Sequence, residues 1–128
     1  MQIIELTPEF FAEQKPPAIN ITKKFIMFNA AAIKKLALHV DDHFIIHIDG
    51  LKIMMSPSSN KGFKIHKAAR CLQSSAPGLQ EYLIKSFRLV PLENAPKVST
   101  LVYEIGEFKE GANPLIYKDH HVKYKTPD

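Results

Sequence analysis

Apolar and polar positions alternate most cleanly from His43 to Met55, on either side of Asp49-Gly50. An Asp-Gly pair flanked by such alternation is the strongest short-range hairpin signal. A two-residue turn at Asp49-Gly50 pairs Ile48 with Leu51, His47 with Lys52, Ile46 with Ile53, Ile45 with Met54 and Phe44 with Met55. Phe44, Ile46, Ile48, Leu51, Ile53 and Met55 then share a wholly apolar face, which is predicted to be core. The other face sets His43, Ile45, His47 and Asp49 against Lys52 and Met54. An Ile45–Met54 cross-strand pair keeps that side from being purely solvent-facing.

The pattern before the hairpin changes to helical spacing. Asn29 is a good cap for a helix opening on Ala30-Ala31-Ala32, with Phe28 and Ile33 at the positions of a hydrophobic staple. Ile33, Leu36 and Ala37 form the predicted buried stripe, with Lys34 and Lys35 outside it. The helix, Ala30 to Leu38, is too short to be stable alone and must lean on a sheet. Ile19 to Phe28 reads as a strand, rich in β-branched and aromatic residues. The first residues read as a short strand, Gln2 to Leu6, a turn of helix opened by Thr7-Pro8-Glu9, and a stiff linker, Gln14-Lys15-Pro16-Pro17.

After the hairpin, Ser56 to Lys61 is a polar loop and Gly62 to Ala68 a strand with Phe63 and Ile65 inward. Ser74-Ser75-Ala76-Pro77 opens a second helix, on which Leu79, Tyr82, Leu83 and Phe87 recur at helical spacing. Leu89 to Leu92 and Val98 to Phe108 read as a second hairpin, joined by Glu93-Asn94-Ala95-Pro96 and ended by Gly111-Ala112-Asn113-Pro114. The tail from Lys118 to Asp128 is polar and expected to be mobile. The pattern predicts an α+β fold: a small, mostly antiparallel β barrel or sheet with two short helices and two hairpins. A single domain covers 1–128, with an arm at 1–17, strand–helix–hairpin units at 18–57 and 58–117, and a tail at 118–128.

Composition adds the class and the charge. With 45% hydrophobic and 23% charged residues in 128 positions, the chain is that of an ordinary globular domain. The single Cys71 cannot close an internal disulfide, which fits a reducing compartment. The opening MQIIELTPEF lacks the features of a signal peptide, and no stretch approaches the roughly 20 apolar residues of a membrane span. A cytoplasmic protein with no membrane partner is expected. The net charge of +4 is unevenly spread: Gln14 to Gln80 holds ten Lys/Arg against three Asp, and Gly50 to Gln80 holds no acid. Such asymmetry marks either an anion-binding surface or a solvated lysine-rich face.

His39, His43 and His47 recur every four residues, which on one helix would suit a metal. On a strand rising about 3.3 Å per residue, His43 and His47 are instead roughly 13 Å apart, and no tetrahedral ligand set is legible. His120-His121 reads as a surface pair. No motif places a histidine beside Cys71, extended Asp41-Asp42 points to opposite sides, and no glycine-rich phosphate loop exists. A non-enzymatic protein with neither metal nor cofactor is expected.

The segment ITKKFIMFNAAAIKKLALHVDDHFIIHIDGLKIMMSP resembles the AbrB-type swapped-hairpin barrel family over residues 21–57. Ile33, Lys34-Lys35-Leu36, Leu38, Asp42, Phe44, Ile46 and Pro57 fit its pattern of strand, short helix, tight turn and alternating strand pair. Asn29, Ala37 and Asp41 stand where the family carries proline, glycine and glycine, and the family's DNA-contacting arginines are absent. The resemblance implies binding of double-stranded DNA and a homodimer in which two such segments intertwine; otherwise the second half of the chain completes the sheet. The phosphate contacts would come from Lys23, Lys24, Lys34, Lys35, Lys61, Lys64, Lys67 and Arg70. The competing expectation is an assembly or adaptor module of a phage or mobile element, on which the basic surface only maintains solubility.

Overall fold

A computed structural model describes residues 5–69 and 71–122. Its framework is a nine-stranded antiparallel sheet: β1 (Ala18–Ile21), β2 (Phe25–Phe28), β3 (His43–Asp49), β4 (Lys52–Ser58), β5 (Phe63–Lys64), β6 (His66–Lys67), β7 (Leu72–Ser75), β8 (Val98–Ile105) and β9 (Asn113–Val122). The strand order is β5-β3-β4-β9-β8-β1-β2-β7-β6. The two outermost strands are separated in the chain by Ile65 alone, so the sheet curls until its ends meet at that residue. Ile65 is fully buried, and its backbone is tied to the preceding turn by Asp41 N–H to Ile65 O (2.9 Å) and Ile65 N–H to Asp42 O (2.8 Å). The result is a small barrel-like sheet.

Its interior is filled from every side. Ile19, Ile21, Ile26, Phe28, Phe44, Ile53, Met55, Leu101, Tyr103, Ile105 and Leu115 form one cluster with Ile65 and with helix residues Ala32, Leu83 and Ile84. Phe28 meets Phe44 edge-on at 5.5 Å between centroids, and Phe44 stacks on Phe63 at 5.3 Å. Burying side chains of this size contributes about 1.5–3 kcal/mol each before chain entropy is counted.

Short helices sit against the sheet. In α1 (Pro8–Gln14) the Thr7 hydroxyl accepts from Phe10 N–H, as predicted for a cap ahead of proline. Asn29 caps α2 (Ala30–Leu36): its side-chain oxygen accepts from Ala32 N–H (2.8 Å) and Ala18 N–H (3.1 Å), and its amide donates to Pro16 O (3.0 Å). One side chain thus fastens both the helix and the arm linker. At the other end of α2, Ala37 N–H reaches Lys34 O and Leu38 N–H reaches Ile33 O, a Schellman closure with Ala37 left-handed at φ 50°. A third helix, α3 (Leu79–Phe87), is followed by a 3-10 turn at Leu92–Lys97. Gln80 of α3 is buried and donates to Ile21 O and Ser99 O, fixing that helix to β1 and β8.

Several expectations are corrected. Ile19 to Phe28 is two strands, because Thr22 turns the chain: its hydroxyl accepts from Phe25 N–H at 3.0 Å. In α2 the fully buried residues are Ala31 and Ala32; Ile33 and Leu36 are half-buried, Ala37 is exposed, and the helix stops at Leu36 rather than Leu38. The hairpin pairs Asp49 with Lys52, Ile48 with Ile53, Ile46 with Met55 and Ile45 with Ser56, so its turn is Gly50-Leu51 and Met54 lies opposite His47. The offset from the predicted register is two residues, which preserves the faces. Phe44, Ile53 and Met55 are buried as expected, but Leu51 at the tip is 89% exposed and Ile48 40%.

Gly62 to Ala68 breaks at Ile65 into β5 and β6. Ser74 and Ser75 belong to β7 rather than to a helix start, and Tyr82 is exposed. Leu89 to Leu92 is not a strand; the partner of β8 is β9, which takes up Lys118 to Val122 from the expected tail. The helices number three rather than two among the described residues. Glu5 and Leu6 are not in a strand, and the rest of the strand expected from Gln2 lies outside the described residues, as do 123–128. The hairpin β3–β4 is flanked within the chain by β5 and β9. The second half of the chain therefore contributes to its sheet.

Candidate nucleic-acid interface

The lysines singled out in the sequence divide between two ends of the barrel. Lys23 and Lys24 occupy the turn between β1 and β2, and Lys23 Nζ donates to Pro96 O at 2.8 Å, just before β8 begins. Lys34 and Lys35 lie on α2, and Lys35 Nζ meets Glu107 at 2.9 Å, just after β8 ends. An eight-residue strand separates these contacts, on the order of 25 Å at about 3.3 Å per residue. The two lysine pairs do not share a face.

The closing segment of the barrel gathers the others. Phe63 and Ile65 point inward, so Lys64 projects outward; Lys61, Lys64, His66 and Lys67 are all exposed. Lys64 is in register with His43, while Lys67 is in register with Leu72, itself paired with Phe28 immediately before the cap of α2. This basic strip therefore runs toward the end that carries Lys34 and Lys35. Arg70 lies outside the described residues.

Two carboxylates temper the strip. Glu107 pairs with Lys35, and Asp41 lies 3.4 Å from Lys64 Nζ. Both acids are largely exposed, and exposed pairs contribute only about 0–1 kcal/mol. A polyanion could replace either carboxylate at small cost. Glu107 was not legible as a partner from local charge counts, because it is 72 positions from Lys35 in the chain. His66 was missed because no local signal distinguishes an exposed strand histidine from any other.

Beside this end lies a cleft of about 480 Å³ between the close of α2, strands β3 and β4 and the segment after β8. Its polar groups include Lys35, Asp42, His43 and Glu107, over an apolar floor of Leu38, Phe44 and Met55. Asp42 is engaged in its own turn, accepting from His39 N–H at 2.8 Å. With two acids facing two basic groups, the cleft does not focus charge of one sign. On β3 and β4, His47 Nε2 and Ser56 Oγ are 2.8 Å apart, on an exposed surface. Among the described residues no three His, Cys, Asp or Glu side chains are grouped to hold a metal, and no helix is long and apolar enough to cross a membrane. Comparison with family models, curated proteins and solved structures finds no match to this chain.

Proposed function

We propose that this protein is a non-enzymatic nucleic-acid-binding barrel that engages the phosphate backbone of duplex DNA through Lys61, Lys64 and Lys67, with Lys34 and Lys35 at the margin. The observation that carries this reading is the exposed run of Lys61, Lys64 and Lys67 on the closing segment of the barrel. Lysine ammonium groups act there as point charges: they position a duplex without reading its sequence. Lys23 and Lys24 belong to the opposite end and drop out of the interface.

The AbrB-type resemblance is part of the same reading, and backbone geometry supports it. Ala37 and Asp41 stand where that family carries glycine, and both adopt positive φ, 50° and 76°. Such angles favour glycine, so the local path is the one a glycine pattern would produce. The test is fluorescence anisotropy of labelled duplex DNA across salt. About five phosphate contacts give a slope of log K against log salt of roughly −4.5. No binding at about 50 mM salt, where screening is weak, would contradict the proposal.

A second reading, a protein–protein assembly or adaptor module, is favoured by the exposed Ile48 and Leu51 at the hairpin tip. Large apolar side chains grouped on a protrusion commonly mark contact sites.

A further inference from the structure

The most buried polar side chain of the cleft beside Lys35 and Glu107 is Asn113, at the start of β9. It is 5% exposed and in register with buried Met55, which puts its side chain on the inner face of the sheet. Its amide nitrogen donates to Gly106 O at 3.0 Å. Because that partner is a carbonyl, the nitrogen must be the atom turned toward it, and Oδ1 points the other way. Among the described residues no donor meets Oδ1, yet it is not sealed from solvent. Buried acceptors are normally met by a donor. Since Asn113 lines the cleft, a donor reaches it from there.

Around this acceptor the cleft combines apolar and charged surfaces. Leu38, Phe44 and Met55 form the floor, and Phe108 adds an aromatic side chain that is 58% exposed. Lys35 Nζ and Glu107 Oε1 stand 2.9 Å apart, on side chains 25% and 83% exposed. Glu107 directly follows Gly106, the residue that holds the Asn113 amide, so the ion pair and the unmet acceptor belong to one short wall.

We propose that this cleft binds a free aromatic α-amino acid whose ring carries a hydrogen-bond donor, tryptophan or tyrosine. This inference is independent of the nucleic-acid reading. The ammonium meets Glu107 and the carboxylate meets Lys35. The ring lies against Leu38, Met55 and Phe108, and its N–H or O–H donates to Asn113 Oδ1. Opening the Lys35–Glu107 pair costs little, because exposed ion pairs contribute little. A zwitterion gives each of the two charges a new partner, which neither a plain anion nor a plain cation does. The balanced charge of the cleft therefore points to an amino acid, and a residue inside a peptide lacks the terminal charges. The volume of about 480 Å³ is of the size that encloses a small molecule.

The chain contains no tryptophan, so indole emission reports the added ligand alone. Titrating the full chain into L-tryptophan should shift that emission to the blue and saturate at one ligand per chain, with a dissociation constant below about 1 mM. L-Tyrosine should reverse the shift by competition. 1-Methyltryptophan, which lacks the ring donor, should bind about fivefold more weakly, and tryptophan amide and N-acetyltryptophan, each missing one charge, about tenfold or more. Glu107→Gln, at an exposed side chain, should lower the affinity for L-tryptophan to about that of N-acetyltryptophan while the circular dichroism stays unchanged. The absence of a saturable shift at protein concentrations up to about 1 mM would overturn the proposal. So would equal binding of L-tryptophan and its three derivatives, which marks adsorption to apolar surface alone, or a folded Glu107→Gln variant that binds as the parent does.

Discussion

Ala37 shows how one residue can carry a cost that its neighbours impose. The Schellman closure of α2 needs a left-handed residue after Leu36, and Ala37 supplies it at φ 50°. A Cβ in that region costs roughly 1–2 kcal/mol, part of which glycine gives back as unfolded-chain entropy. Ala37→Gly should therefore raise stability by about 0.5–1 kcal/mol in urea unfolding, with the midpoint moving and the slope unchanged. At Tyr103 the cost is polar. Its ring is buried, and its hydroxyl has no hydrogen-bond partner among the described residues. Burial, with Tyr117 beside it, pushes the hydroxyl well above the ordinary tyrosine range. It stays protonated in the fold while the unfolded chain ionises above about pH 10, so stability falls as pH rises through that value. Tyr103→Phe should leave stability at neutral pH unchanged or higher by up to about 1 kcal/mol and should flatten the alkaline loss. Tyr103→Ala should cost about 3–5 kcal/mol through the cavity it opens. Thermal melts of both variants from neutral to alkaline pH separate the two effects.

At the scale of elements, the parts legible in the sequence are those specified by neighbours in the chain. The Thr7 and Asn29 caps, α2, and the hairpin around Gly50 all rest on side chains within a few positions, and all are present. The turn shifted by one position because Gly50 sits at its first central residue with φ 61°, the place a type II′ turn assigns to glycine. What escaped were elements whose partners are remote. Leu72–Ser75 is a strand because β2 and β6 bracket it, which its two serines do not advertise. The polar end of β9 is held by ladder bonds to β8 rather than by its own hydrophobicity. Glycines sort the same way. A Cβ at Gly50 would meet nothing, so Gly50→Val should cost about 1 kcal/mol or more through the positive φ alone. At Gly62, φ is 95° and a Cβ would run into the Phe44 carbonyl oxygen where the loop crosses β3. Gly62→Ala should therefore cost more than Gly50→Ala, about 2 kcal/mol or above, despite being the same chemical change. Equal melting temperatures for the two alanine variants would contradict the tight crossing that seats β5 on β3.

For the whole molecule, the basic stretch read from the sequence is real as composition but not as one surface. Folding sends Lys23 and Lys24 to the end of the barrel beside Pro96, brings Glu107 onto Lys35, and leaves Lys61, Lys64 and Lys67 together on the closing segment. Linear charge counts cannot anticipate this, because strand order places residues far apart in the chain side by side. The division into two ends makes the central claim directly measurable. The duplex-DNA affinity of Lys61→Glu/Lys64→Glu/Lys67→Glu is compared with that of Lys23→Glu/Lys24→Glu over a range of salt concentrations. Removing three phosphate contacts should lower the salt slope by about 3 and abolish binding near physiological salt. Reversing the other pair should leave the slope within about 1 of the parent's, since charges beyond a Debye length of roughly 8–10 Å are screened. Equal losses in the two variants, or a larger loss from Lys23 and Lys24, would contradict the assignment of the interface to the closing strand.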